Sequence, residues 1–154
     1  MQETLRALFR FSINNENNEH QTITLFSTLE EDLIAKIKLA TDVDLTGFCV
    51  EIDNYGIKHA FDRHGNENTE NKRGQVAITE NDFCLVPMPL LDFDTVRYDF
   101  RGERGKPNLK ESLVFEKYID NQYIMSMEVR KVTKKGKQNK VVFQTLYIKK
   151  LSIS

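Results

Sequence analysis

Four stretches in the second half of the chain alternate apolar and polar residues with period two: "FDTVRYDF" (93–100), "SLVFEKYI" (112–119), "QYIMSMEVRK" (122–131) and "KVVFQTLYIKK" (140–150). Successive side chains of a strand point to opposite faces, so each stretch can bury one face and present the other. Asp120-Asn121 and the Lys135-Gly136 region supply turn residues between the last three, which predicts an antiparallel meander. The first half has a different rhythm. Thr28 and Glu31 form a capping-box pattern, and Leu29, Leu33, Ile34, Ile37 and Ala40 recur at helical spacing, predicting a helix over 29–40. Asn54 is placed to cap a second helix of roughly 55–64 that carries Tyr55, Ile57 and Phe61. "LRALFRFSI", "TITLF" and "GFCVEID" read as strands, and "TENDF" (79–83) as a capped short helix ended by Pro87 and Pro89. The polar "NNENNEHQ" (14–21) and "GNENTENKRG" (65–74) read as loops, the second of them mobile. Helices followed by an antiparallel meander give an α+β domain.

A length of 154 residues fits one domain with a real core, and no repeat or Pro/Gly/Ser-rich linker divides it. No apolar run approaches the length that spans a membrane. The start "MQETLRALFRFS" lacks the basic-then-apolar layout of a secretory leader, so the expected address is cytoplasmic, in a host or target cell. Cys49 and Cys84 stand apart with no Cys-x-x-Cys pair, which suggests neither a disulfide framework nor a zinc knuckle. A net charge of −1 argues against a protein that coats nucleic acid. It conceals an asymmetry: residues 1–60 hold ten Asp/Glu against five Lys/Arg, whereas 129–154 hold eight Lys/Arg and no acid. A basic end suits a polyanion, and it equally suits a solvated strand rim with its "TKKGKQNK" turn.

"GIKHAFDRHG" (56–65) holds two of the three histidines. Five residues of helix is about 500°, so His59 and His64 point roughly 140° apart. Paired zinc ligands on one helical face want a spacing of four, and no third ligand is at hand, so no metal is expected. His64 before Gly65 fits a helix end, with Gly65 in the left-handed position and the imidazole favoured near the C-terminus. His59 has an equally plain reading as a core or cap histidine. The functional reading is that two imidazoles, one neutral and one charged, cleave RNA without metal. One takes the ribose 2′-OH proton, the other protonates the departing 5′-oxygen, and a cation steadies the phosphorane. Arg63, Lys72 and Arg73 lie close in sequence and offer that charge, and Lys131 leads into the basic hairpin that can hold phosphates. Thr145 and Tyr147 stand two apart on a strand and share a face. Turned toward the histidine helix, their hydroxyls would bind phosphate or position a base.

Taken in order, "IKHAFDRHG", "RGQVAITENDF", "LVFEKYIDNQYIMSMEVRK" and "TLYIKK" resemble the phage-associated branch of the barnase–EndoU–colicin–RelE superfamily of metal-independent ribonucleases. The resemblance covers roughly residues 45–150 and leaves 1–45 as an added N-terminal element. It implies a compact α+β domain, N-terminal helices packed on a four-stranded antiparallel sheet, with the active site on the open face of the sheet. Its His-x4-His pattern falls on His59 and His64. Its central segment falls on Arg73, Gly74, Gln75, Ile78, Thr79, Asp82 and Phe83, and its terminal Thr-x-Tyr on Thr145 and Tyr147. The reading is an endoribonuclease without cofactor, with His59 and His64 as the acid–base pair and both imidazoles facing Thr145 and Tyr147. Arg63, Arg73, Thr79 and Lys131 would hold phosphate. The resemblance implies RNA as partner, tRNA or mRNA in the wider superfamily, and for a toxin an acidic immunity protein or antitoxin. Two other readings are a non-catalytic nucleic-acid-binding module and an ADP-ribosyltransferase, the latter without a glycine-rich phosphate loop.

Overall fold

A computed structural model describes residues 1–14 and 19–151. From the N-terminus the elements are α1 (Gln2–Asn14), β1 (Thr22–Phe26), α2 (Glu31–Thr41), β2 (Cys49–Asp53), α3 (Asn54–His64) and α4 (Glu67–Lys72). They continue with β3 (Gln75–Val76), α5 (Glu80–Cys84), α6 (Pro87–Leu91), β4 (Thr95–Arg101), β5 (Lys110–Ile119), β6 (Tyr123–Val132) and β7 (Lys140–Lys150). The four alternating stretches are therefore strands, β4 to β7, and neighbours among them pair antiparallel.

The sheet is larger than a four-stranded meander and is mixed. Its order is β1-β2-β7-β6-β5-β4, with β3 pairing β7 off that path, seven strands among the described residues. β2 runs parallel to the first part of β7 (Cys49↔Lys140 to Glu51↔Val142), while β3 runs antiparallel to its last part (Gln75↔Lys149). Between these two partners the edge of β7 is left to α3. Gly56 makes that approach possible, because a Cβ there would stand 2.8 Å from the Phe143 carbonyl oxygen.

Several local expectations fail for identifiable reasons. "LRALFRFSI" is helix, not strand: Leu5, Leu8, Phe9 and Ser12 are buried at spacings of three and four, one face of α1. The loop expected over 65–74 contains α4, whose N-cap Asn66 accepts a hydrogen bond from the Thr69 N–H at 3.1 Å. Gly65 is right-handed (φ −91°), and its lack of a side chain serves a close approach instead, since a Cβ would lie 2.6 Å from the Phe61 carbonyl. The expected caps shift by a residue or two: Glu30 precedes α2 without a side-chain cap, and Asp53 caps α3 through the Gly56 N–H. The proline pair opens a further short helix, α6, rather than closing one. Of the polar loop expected at 14–21, residues 15–18 lie outside the described residues.

The core lies on one face of the sheet, under the helices. An aromatic series ties the layers: Phe9 of α1 meets Phe61 of α3 and Phe83 of α5, and Phe83 meets Phe143 of β7. Leu5, Leu8 and Phe9 belong to the same apolar cluster as the strands, so the N-terminal residues complete the core. α1 is also pinned by charge, for Arg6 and Arg10 grip the Glu80 carboxylate at 2.8 and 2.7 Å. The Arg10 hydrogen bond, opposed by desolvation and aided by Arg6, holds the Glu80 carboxyl below the usual glutamate range. A depressed carboxylate stabilises the fold above its unfolded value and loses that contribution as pH falls through its folded value. Glu80→Gln is therefore expected to lower Tm at neutral pH, with the gap to the parent closing well below roughly pH 4.3. Thermal melts across that range check it, and a gap that stays constant would remove the ion pair from the account. Among the described residues no helix is long and apolar enough to cross a membrane.

Candidate active site

α3 lies along β7 with Asn54, Ile57, Ala60 and His64 on its buried side. His64 closes that helix, 8% exposed, and its ring centroid is 5.4 Å from that of Tyr147 at an interplanar angle of 32°. Its carbonyl accepts from the Ile78 N–H at 2.9 Å, which fixes the helix end to the segment after β3. The imidazole is oriented by a fully buried acid: Nδ1 of His64 lies 3.1 Å from Oε2 of Glu70 on α4. Arg73 completes the arrangement, with one Nη1 donating to Glu70 Oε1 and to the Arg63 carbonyl, both at 3.0 Å. With Nδ1 engaged by a carboxylate, Nε2 is the nitrogen left for proton transfer.

Tyr147 belongs to the sheet face turned away from the core. A β-bulge sets this up: Glu128 pairs Thr145 but Val129 pairs Phe143, leaving Gln144 as the extra residue. Phe143, Leu146 and Ile148 stay in the core, while Gln144, Thr145, Tyr147 and Lys149 share the outer face. On β6 the same alternation buries Met125, Met127 and Val129 and sends Ser126, Glu128 and Arg130 to the outer face. Ser126 stands directly opposite Tyr147, and Glu128 opposite Thr145. The Lys149 ammonium is 5.4 Å from the Tyr147 ring centroid.

This face gathers every buried side-chain polar atom that lacks a hydrogen-bond partner among the described residues: Gln75 Oε1, Ser126 Oγ, Arg130 Nε and Thr145 Oγ1. Buried polar atoms are normally paired, and an orphan costs about 1–3 kcal/mol. Gln75, Ser126 and Thr145 lie near Tyr147, with Arg130 farther along the same face, and together they mark a surface suited to a polar ligand.

The structure brings His64, Thr145 and Tyr147 to this face and leaves the other expected residues elsewhere. His59 is exposed on α3 and, among the described residues, makes no hydrogen bond, ion pair or ring contact; the expected meeting of two imidazoles does not occur. The helix itself is the reason, since residues five apart diverge by about 140°. Arg63 is exposed and contributes its carbonyl to Arg73. Arg73 is engaged in holding Glu70. Thr79 caps α5, with its N–H and hydroxyl both donating to Asp82 Oδ2 at 2.7 and 3.0 Å. Lys131 falls on the opposite face from Tyr147, 3.6 Å from Glu111, because strand alternation gives the outer position to its neighbour Arg130. Among the described residues no group of three His, Cys, Asp or Glu side chains is arranged to hold a metal ion.

The family model described as phage-Barnase-EndoU-ColicinE5/D-RelE like nuclease 3 matches residues 30–154. The chain belongs to this nuclease family. The match starts earlier than the motifs suggest, taking in α2 as well as the sheet, and α1 and β1 precede it. No curated protein and no solved structure matches the chain. Three residues of this region, Glu70, Glu128 and Arg130, are not among the expected site residues. Glu70 sits in a polar run with no apolar periodicity to betray its burial. Glu128 and Arg130 are findable, because in "MSMEVRK" the apolar residues take every second position and so assign both to the other face.

Proposed function

We propose that this nuclease cleaves RNA endonucleolytically by transesterification, without a metal ion. The observation that carries the reading is the His64–Glu70 pair set against Tyr147 beside the orphaned hydroxyls of Ser126 and Thr145. A carboxylate-oriented imidazole at a polar surface is suited to moving a proton. The reaction needs a second such group across the scissile phosphate. Glu128 fills that role better than His59: it is half-buried, forms no hydrogen bond or ion pair among the described residues, and faces Thr145. Diagonal neighbours on a sheet lie roughly 7–8 Å apart, which places Glu128 across Tyr147 from the imidazole with room for a phosphodiester.

The proposed sequence follows from these positions. One of His64 and Glu128 removes the proton of the ribose 2′-OH, whose oxygen attacks the adjacent phosphorus. The other protonates the departing 5′-oxygen, giving a 2′,3′-cyclic phosphate and a free 5′-hydroxyl. Lys149 and the Thr145, Ser126 and Tyr147 hydroxyls face the charge that builds on the phosphorane oxygens. RNA as substrate, a cytoplasmic site of action and pairing with an immunity protein or antitoxin are proposals of the same reading.

The test is incubation of structured and unstructured RNA with the protein in excess EDTA, followed by end-group analysis. The expected products end in 2′,3′-cyclic phosphate and begin with 5′-hydroxyl. Intact RNA in EDTA that is cleaved once a divalent cation is added would overturn the metal-free route, and 5′-phosphate products would overturn transesterification.

A further inference from the structure

Glu128 and Arg130, two residues apart on β6, both line a polar cleft of about 130 Å³ on the same face. Glu128 borders its Tyr147 side, and Arg130 lines it together with Gln144 from β7, Ser112 and Lys110 from β5 and Arg101 from β4. The registers bring these side chains together, since Arg130 pairs Ser112 and Lys110 pairs Arg101. Arg130 is half-buried, its Nε is buried without a partner, and it forms no ion pair among the described residues even with Glu128 on its own strand face. A guanidinium carries its donors in a rigid fork that suits phosphate, and a half-buried cation without an anion is costly to keep. Asp99 also lines the cleft, but its Oδ1 accepts the Phe100 N–H at 2.9 Å, so this acid is partly spent on backbone.

Position agrees with charge. Arg130 lies about 6.6 Å beyond Glu128 and about 13 Å beyond Ser126, which stands opposite Tyr147, a reach of one to two linkages of an extended polynucleotide. Farther along the same face a cleft of about 220 Å³ is lined by Lys134, Lys137, Lys140 and Glu51. Lys140 is paired with Glu51 at 3.0 Å, so Lys134 and Lys137 continue the cations in that direction. From Tyr147 to the lysine turn, hydroxyls give way to Glu128, then to one arginine and then to lysines. This is the order a surface needs if it reacts with one phosphodiester and holds the next.

We propose that the Arg130 cleft is a subsite for a second phosphodiester of a single-stranded polynucleotide, next to the one at His64. The proposal rests on the nuclease reading only for the location of the first phosphodiester. It makes the substrate a strand of at least three nucleotides laid along β6 and β7, not a dinucleotide.

Fluorescence anisotropy with labelled 2′-O-methyl oligonucleotides, which lack the attacking hydroxyl, tests it on the parent protein. Affinity is expected to rise about tenfold when a second and third phosphodiester are added to a dinucleotide. Arg130→Gln should lose that gain, and the slope of log K against log salt for a tetranucleotide should fall by about 0.7. Arg130→Lys, which keeps the charge and loses the fork, should recover the salt slope and only part of the affinity. Thermal melts of both variants confirm the fold before binding is compared. An oligonucleotide with abasic sites beyond the first linkage should keep the gain; if it loses it, the cleft reads a base and the proposal falls. Equal binding of parent and Arg130→Gln at all lengths also overturns it. A parent that binds with this length and Arg130 dependence but cleaves no RNA would sink the nuclease reading and leave the subsite standing.

Discussion

His64→Ala is expected to lower RNA cleavage by about 10²–10⁴-fold, the contribution typical of a positioned proton-transfer group. The case is spatial. His64 is the imidazole held against Tyr147, with one nitrogen committed to Glu70, whereas His59 is exposed and without hydrogen-bond or ion-pair contacts among the described residues. His59→Ala should therefore stay within about threefold of the parent, well under the effect of removing a proton-transfer group. Single-turnover rates on one RNA at saturating protein separate the chemical step from binding. Equal losses in the two variants would restore the two-histidine mechanism that the sequence suggests. A His64→Ala protein as fast as the parent would remove His64 from the chemistry altogether. Thermal melts accompany the rates, because truncating the ring leaves Glu70 Oε2 buried without its partner at a cost of about 1–3 kcal/mol, while Ile57, Ala60 and the Phe9–Phe61 contact stay in place.

The strength of the local signal decides how much of the fold is legible in the residues themselves. β4 to β7 are plain because apolar and polar residues alternate along each over seven to eleven residues. α2 is plain for the helical equivalent. α1 misleads because Phe9, Phe11 and Ile13 satisfy period two while Leu5, Leu8 and Phe9 satisfy the helical period, and only packing against α3 and α5 decides between them. The parallel partnership of β2 with β7 joins segments about ninety residues apart and leaves no mark in either of them. For the site, Tyr147 and Thr145 are readable as a shared face, and His64 as a helix-terminal histidine. Glu70 is not. Its six-residue helix "ENTENK" is polar all round, and nothing in that run singles out the one acid that goes inside.

Glu70→Gln should then reveal what that acid does. The substitution keeps the shape and removes the charge, and the new amide can present an N–H to Nδ1 of His64. That hydrogen bond would leave Nδ1 as acceptor and put the ring proton on Nε2, the wrong tautomer for a base facing the substrate. A loss of about 10²-fold or more in the single-turnover rate is expected, with little change in RNA binding. Arg73, whose Nη1 bonds the same carboxylate, loses a charged partner but keeps the Arg63 carbonyl, so α4 should stay in place. Glu70→Ala is harsher, stranding the imidazole and the guanidinium together at a cost of roughly 1–3 kcal/mol. If Glu70 only fastened α4 to α3, both variants would lower Tm in proportion and the pH–rate profile would keep its shape. If it orients His64, Glu70→Gln should alter that profile at nearly unchanged Tm, and Glu70→Asp should fail to restore the rate because its shorter arm misses Nδ1. Rates that follow Tm across all three variants would reduce Glu70 to a structural acid and leave His64 to be oriented by Tyr147 alone.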